Sequence, residues 1–200
     1  MLDFAPTDEL RLFFAVPLHE DLRGAVETVQ RRLAEARAKV NWVDPGNLHF
    51  TLKFLGAVWG QAVPAIVRVA EEVAARHEPF SLHIRGCGAF PRPSDARTIW
   101  LGCAEGSDQL AALARDLDAA LASAGLATQE ERPFQPHLTL GRNKSAYRIA
   151  DLGRAIQREA TVEIGHMVAD HFLLLHSSLH REGPEYSEVA RFALSAPGSP

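Results

Sequence analysis

Cysteine is scarce: the 200 residues hold two, Cys87 and Cys103, in unlike contexts and with no C-x-x-C spacing. That excludes a disulfide scaffold, a redox pair and a zinc knuckle, and leaves two reduced, half-buried thiols as the expectation. No apolar run approaches the roughly 18 to 20 residues a membrane span needs, and the acidic start MLDFAPTDELR lacks the basic and apolar regions of a signal peptide, so a cytoplasmic protein with no membrane partner is expected. Positive charge is not in excess either. With 21 basic against 25 acidic residues the formal net charge is −4, which excludes the broad positive field that holds long duplex nucleic acid. There is no G-x-x-x-x-G-K-S/T phosphate loop, and GCG at 86–88 is too short to be one. His176 and His180 are four apart, but Ser177 follows the first and the segment reads as strand, so H-E-x-x-H chemistry is excluded. No metal or other cofactor is called for.

What is present is ordinary globular composition, 46% hydrophobic and 23% charged, enough for one sizeable core or two small lobes. RLFFAVPL at 11–18 predicts a strand. Residues 19–40 predict a helix, because Leu22, Val26, Val29, Leu33, Ala36 and Val40 recur every three or four positions. After the turn DPGN comes HFTLKFLG, whose alternation predicts Phe50, Leu52 and Phe54 on one strand face. A helix over 61–76 and the strand SLHIRGCGAF complete this half. The order then recurs: RTIWLGC at 97–103 as strand, 108–122 as helix with Leu110, Leu113, Leu117 and Leu121 in a stripe, HLTLGR at 137–142 as strand, and 148–158 as helix. VADHFLLLHSSL predicts one long strand, and SEVARFAL a last one.

The repeat is in register as well as in kind. Leu12 lies 37 positions before His49 and Ile99 lies 38 before His137, each pair linking a first strand to an H-x-T-L strand. Residues 1–194 are therefore expected to form a single bilobal domain with halves at about 11–90 and 97–180, a linker at 91–96, and a mobile tail at 195–200.

In each H-x-T-L strand the imidazole and the hydroxyl share one face and the apolar residues take the other. Paired across a pseudo-twofold axis, the polar faces would bring His49, Thr51, His137 and Thr139 to one groove. Two imidazoles, each with a pKa of about 6.5, can serve as one general base and one general acid near neutrality. Two hydroxyls can hold the non-bridging oxygens of a phosphoryl group, where charge rises in the transition state. The matching reaction is in-line displacement at a phosphodiester, above all a strained 2′,3′-cyclic phosphate, with no need for a metal or carboxylate.

These motifs, with RLFFAVPL, NWVDPGNLHFTLKFLG, GAFPRPSDARTIWLG, FQPHLTLGR and GPEYSEVARFAL in order, resemble the 2H phosphoesterase superfamily, in particular the RNA 2′,3′-cyclic phosphodiesterases also called 2′-5′ RNA ligases (LigT/ThpR type). The resemblance covers nearly the full length. It implies an α+β fold, bilobal and pseudo-symmetric, with two mainly antiparallel sheets facing a central cleft and helices outside. It implies His49 as proton donor, His137 as proton acceptor, Thr51 and Thr139 as phosphate contacts, and a 2′-phosphomonoester product, with 2′-5′ RNA ligase activity secondary. Partners on this reading are RNA 3′ ends bearing a 2′,3′-cyclic phosphate, or small cyclic nucleotides, acted on by a monomer. Relatives often carry an acidic residue where this chain has His176. The alternative of another class is a non-catalytic module binding nucleotide 2′-phosphates or RNA ends.

Four further residues are weighed. Arg142 lies opposite His137 by strict alternation, so a phosphate contact from it requires a bend at Gly141. Lys53 shares the predicted face of His49 and is expected at the rim or in solvent. Phe134 and Tyr186 are candidates for stacking on a base, though core packing is the commoner use of such residues.

Overall fold

In the computed structural model, which describes residues 4–180 and 183–195, the order is β1 (Glu9–Pro17), α1 (Glu20–Ala34), β2 (Val40–Trp42), β3 (His49–Trp59), α2 (Val63–Ala74), β4 (Phe80–Phe90), β5 (Thr98–Glu105), α3 (Ser107–Ser123), β6 (Leu138–Asn143), α4 (Ile149–Arg158), β7 (Glu163–Ala169), β8 (His171–His180) and β9 (Gly183–Ala193). Most of the tail expected to be mobile, residues 196–200, lies outside the described residues.

α1 begins with Glu20 and Asp21 and ends with Arg31 and Arg32, charges that complement the helix dipole at both ends. It buries Val26, Val29 and Leu33 as expected, but stops at Ala34 rather than running to residue 40. Arg37 takes a left-handed φ of 55°, and Val40–Trp42 pairs with β6 instead. Strand pairing here overrides a helical spacing of small apolar residues. α3 keeps its stripe of Leu110, Leu113, Leu117 and Leu121 fully buried, each removing about 2 kcal/mol worth of apolar surface from water. Among the described residues, no helix is long and apolar enough to cross a membrane.

Among the described residues every strand pairing is antiparallel, and the order is β7-β4-β5-β6-β3-β1-β8-β9, with β2 added on β6. The two expected, mainly antiparallel sheets correspond to β7-β4-β5-β6 and β3-β1-β8-β9, but among the described residues they join into one curled sheet through a single pair, Phe50 with Leu138, both completely buried. Repeat and sheet are interleaved. The strand closing the first repeat, β4, pairs with β5, the opening strand of the second; β8 pairs with β1. That crossing is why VADHFLLLHSSL is not one strand: the chain leaves β7, on the edge beside β4, at Asp170 and enters β8 beside β1. The stretch expected as a linker includes a 3-10 turn, Pro93–Asp95, packed closely enough on α4 that a side chain at Gly153 would meet the Pro93 carbonyl.

Candidate active site

His49 opens β3 and His137 immediately precedes β6. Their Nδ1 atoms lie 2.6 Å from the Asn47 carbonyl oxygen and 2.7 Å from the Gln135 carbonyl oxygen, each two residues back. A carbonyl only accepts, so both Nδ1 atoms carry hydrogen and donate, which leaves Nε2 as the free ring nitrogen in both halves. The next residue of each motif, Phe50 and Leu138, makes the one pair that joins the halves. The two imidazoles therefore flank the seam of the sheet. Burial lowers the pKa of His49 from its ordinary value; the Asn47 carbonyl opposes this, and the charges of His137 and Arg142 lower it further.

Both motif strands bulge at the same place. On β3, Ala15 pairs with Thr51 and Phe14 with Lys53, so Leu52 is skipped. On β6, Trp100 pairs with Thr139 and Ile99 with Gly141, so Leu140 is skipped. Leu52 and Lys53 are both buried, as are Leu140 and Gly141. One extra residue reverses the alternation beyond it. In the second half this is the bend Arg142 requires: it turns to the face of Thr139, donates to Thr98 Oγ1 at 3.2 Å and acts electrostatically on both His49 and Tyr186. In the first half it overturns two expectations. Phe54 is not with Phe50 and Leu52 in the core but 59% exposed, 5.7 Å from Phe13, whose ring lies 5.1 Å from His49. Phe54 and Arg142 are thus equivalent positions of the repeat.

Lys53 is the second correction. It is neither at the rim nor solvated; its side chain is 2% exposed, and Nζ donates to Asp118 Oδ1 at 2.6 Å, the Thr128 carbonyl at 2.7 Å and Glu130 Oε1 at 3.3 Å. Asp118 in turn accepts from the Glu130 N–H. Residues 124–137 contain no helix or strand, so this buried pair fastens to β3 the loop that delivers Gln135 and His137.

The floor around the histidines is aromatic. Tyr186 sits edge-on to His49 at 5.4 Å and to Phe13 at 5.0 Å, in a small cluster with Ala15, Leu173 and Leu175 separate from the main core. Phe90 stands edge-on to His137 at 5.1 Å and lies 5.3 Å from Trp100, which rests against Gly88 where any side chain would collide with the indole. Phe134 packs on the main core. Sequence reasoning missed Phe54, Phe13, Phe90 and Trp100. The signal available for Phe54 was the repeat itself, since the bend invoked for Arg142 applies equally five residues after His49. Among the described residues no group of three or more His, Cys, Asp and Glu side chains is placed to hold a metal ion.

With this geometry in view, comparison with known proteins is specific. The family model of the 2′-5′ RNA ligase superfamily matches residues 18–178. An RNA 2′,3′-cyclic phosphodiesterase of Methanothermobacter thermautotrophicus is 38% identical over 93% of this chain and 100% of its own, and one from Aquifex aeolicus is 31% identical over 84% and 90%. Among solved structures, TT0787 of Thermus thermophilus superimposes with a TM-score of 0.77 at 29% identity, covering 92% of this chain and 98% of that one. Escherichia coli LigT complexed with 3′-AMP gives 0.74 at 28%, covering 94% and 100%. Coverage of most of both chains, together with the doubled H-x-T strands, leads to one conclusion: the chain belongs to the 2′-5′ RNA ligase superfamily.

Proposed function

We propose that the protein hydrolyses RNA or nucleotide 2′,3′-cyclic phosphodiesters to 2′-phosphomonoesters, with His49 and His137 as the acid–base pair. The observation that carries this reading is the matched anchoring of the two imidazoles, each held through Nδ1 by a carbonyl two residues back, beside the seam where the halves join. Two imidazoles anchored in the same way, each with Nε2 left open, offer the base and the acid that in-line displacement at phosphorus needs and that simple phosphate binding does not. Relatives named RNA 2′,3′-cyclic phosphodiesterase, and LigT structures with 3′-AMP and ATP, support the same substrate class.

In the proposed reaction His137 Nε2 accepts a proton from water as the water oxygen bonds to phosphorus. The bond from phosphorus to the ribose 3′ oxygen breaks, and that oxygen takes the proton from His49 Nε2. Thr51, Thr139 and Arg142 donate hydrogen bonds to the non-bridging oxygens. Phe54 and Tyr186 offer aromatic faces and edges to the base. In the free protein, burial lowers the pKa of His49, and the charges of His137 and Arg142 lower it further. The negative charge of the bound phosphate offsets those influences, so substrate itself loads the donor with its proton. The test is product analysis on a defined oligonucleotide ending in a 2′,3′-cyclic phosphate. Exclusive 2′-phosphate is expected; a 3′-phosphate product, or tight binding with no conversion, would overturn the reading.

A further inference from the structure

Among the described residues β2 has no counterpart in the other half of the sheet, and it extends the sheet beside Arg142. It pairs with β6 so that Val40 faces Asn143, Asn41 faces Arg142 and Trp42 faces Gly141. Directly opposed residues of an antiparallel pair share a sheet face. Trp42 takes the core side, packed on the main core with Val40, and a side-chain carbon on Gly141 would meet both, at 2.9 Å and 2.7 Å. Asn41 therefore stands with Arg142 on the cleft side. One step on, the Lys144 N–H donates to the Lys39 carbonyl at 3.0 Å, which sets these two lysines opposite each other on that same side.

Lys39, Asn41, Arg142 and Lys144 thus make an exposed shelf of three cations and an amide. Among the described residues none of the three cations has a carboxylate partner, whereas Arg85, Arg154 and Arg191 are each paired with one. Like charges directly opposite on neighbouring strands repel. Such an arrangement, on a chain whose net charge is −4, suits a polyanion lying along it. Arg142 and Lys144 are two residues apart, about 7 Å along the strand, a spacing that suits successive phosphates of an extended chain. The first half of the cleft offers Phe13, Phe54 and Tyr186 instead, so the two ends of the site differ in chemistry.

We propose that Lys39 and Lys144 form a track for the internucleotide phosphates on the 5′ side of the cyclic end, so that the protein selects oligoribonucleotides over cyclic mononucleotides. This rests on the hydrolytic reading above and extends it to the part of the substrate that does not react.

The experiment compares wild type, Lys39→Gln/Lys144→Gln and Lys39→Arg/Lys144→Arg on a 2′,3′-cyclic mononucleotide and on a short oligoribonucleotide with the same cyclic end. Wild type is expected to show the lower KM on the oligonucleotide. The Gln pair should raise that KM while leaving kcat/KM on the mononucleotide unchanged, and the Arg pair should restore it. Each cation contributes a salt slope near −0.7 on single strands, so the Gln pair should flatten the log–log slope by about 1.4, or about 25-fold over a decade of salt. Equal KM values for the two substrates in wild type, or an unmoved oligonucleotide KM in the Gln pair, would overturn the track. If wild type converts neither substrate, the hydrolytic reading fails, and the track is read separately from the anisotropy of a labelled oligoribonucleotide ending in a 2′-phosphate. The same loss of slope there upholds the track, and an unchanged slope rejects it.

Discussion

Replacing Lys53 by Met tests whether the buried cation under the first motif governs the second. Methionine keeps the length and apolar stem but removes the donor that Asp118, the Thr128 carbonyl and Glu130 share. Glu130 is 59% exposed, so its share is worth little. The Asp118 pair is different: with side chains 2% and 13% exposed, its rupture strands a carboxylate in the interior. Breaking such a pair costs about 3 to 5 kcal/mol. Asp118 retains the Glu130 N–H at 3.1 Å, which places the loss near the lower end, about 3 kcal/mol, or about 6 to 12 °C in Tm for a domain of this size. Catalysis should suffer separately, because the loop released from β3 carries the Gln135 carbonyl that orients His137. Urea unfolding and steady-state kinetics below the transition read both effects, with kcat expected to fall more than KM rises. The decisive companion is Lys53→Met/Asp118→Leu. Removing both charges should recover much of the stability while kcat stays low, since the loop remains unfastened. A single variant within about 0.5 kcal/mol of wild type with unchanged kcat would show that the Lys53–Asp118 pair does not fasten this loop.

Four further outcomes follow from individual side chains. Phe54→Ala should raise KM by about 5- to 150-fold, the equivalent of one stacked base, with an unchanged urea midpoint, because the ring is 59% exposed; a drop in stability without a KM effect would return Phe54 to the core. Below pH 6.5 the unfolded chain protonates at His49 while the folded chain, where burial lowers that pKa, resists. Unfolded protein then binds more protons, so stability should decline as pH falls through this window and recover above it; His49→Gln should show a shallower decline. In kinetics the His49 limb should lie lower in kcat/KM, which reports the free enzyme, than in kcat, which reports the complex; coincident limbs would contradict loading of the donor by substrate. Burial pushes the Cys87 thiol up to about 12 and the Cys103 thiol up to about 11, so iodoacetamide at pH 8 should label neither until urea is added, and rapid native labelling would be the contrary result.

The helix stripes and the doubled H-x-T strands are legible in the sequence because both depend on local period. Leu110, Leu113, Leu117 and Leu121 declare a helix, and His49 and Thr51 declare a strand face, before any tertiary contact is known. Alternation fails where one residue is inserted; Gly141 hints at such a bend in the second motif, but nothing in Leu52-Lys53 marks one in the first. Lys53, Phe54 and Arg142 all depend on that insertion. Val40 shows the converse: its helical spacing from Leu33 and Ala36 is genuine, yet β6 offers it a strand partner. The crossing at Asp170 is equally hidden, because a pairing switch between two antiparallel strands leaves the apolar pattern continuous. What the sequence reading lacked, in each case, was the identity of the neighbouring strand.

Joint action of His49 and His137 on one phosphorus atom is read out by single-turnover hydrolysis of a 2′,3′-cyclic phosphate oligonucleotide with His49→Ala, His137→Ala and the double variant. Each single variant should lose about 10² to 10⁴ in rate, and the double should lose much less than the product of the two, because proton removal and proton delivery belong to one step. A single variant that retains wild-type turnover, or losses that multiply fully, would contradict a shared acid–base site.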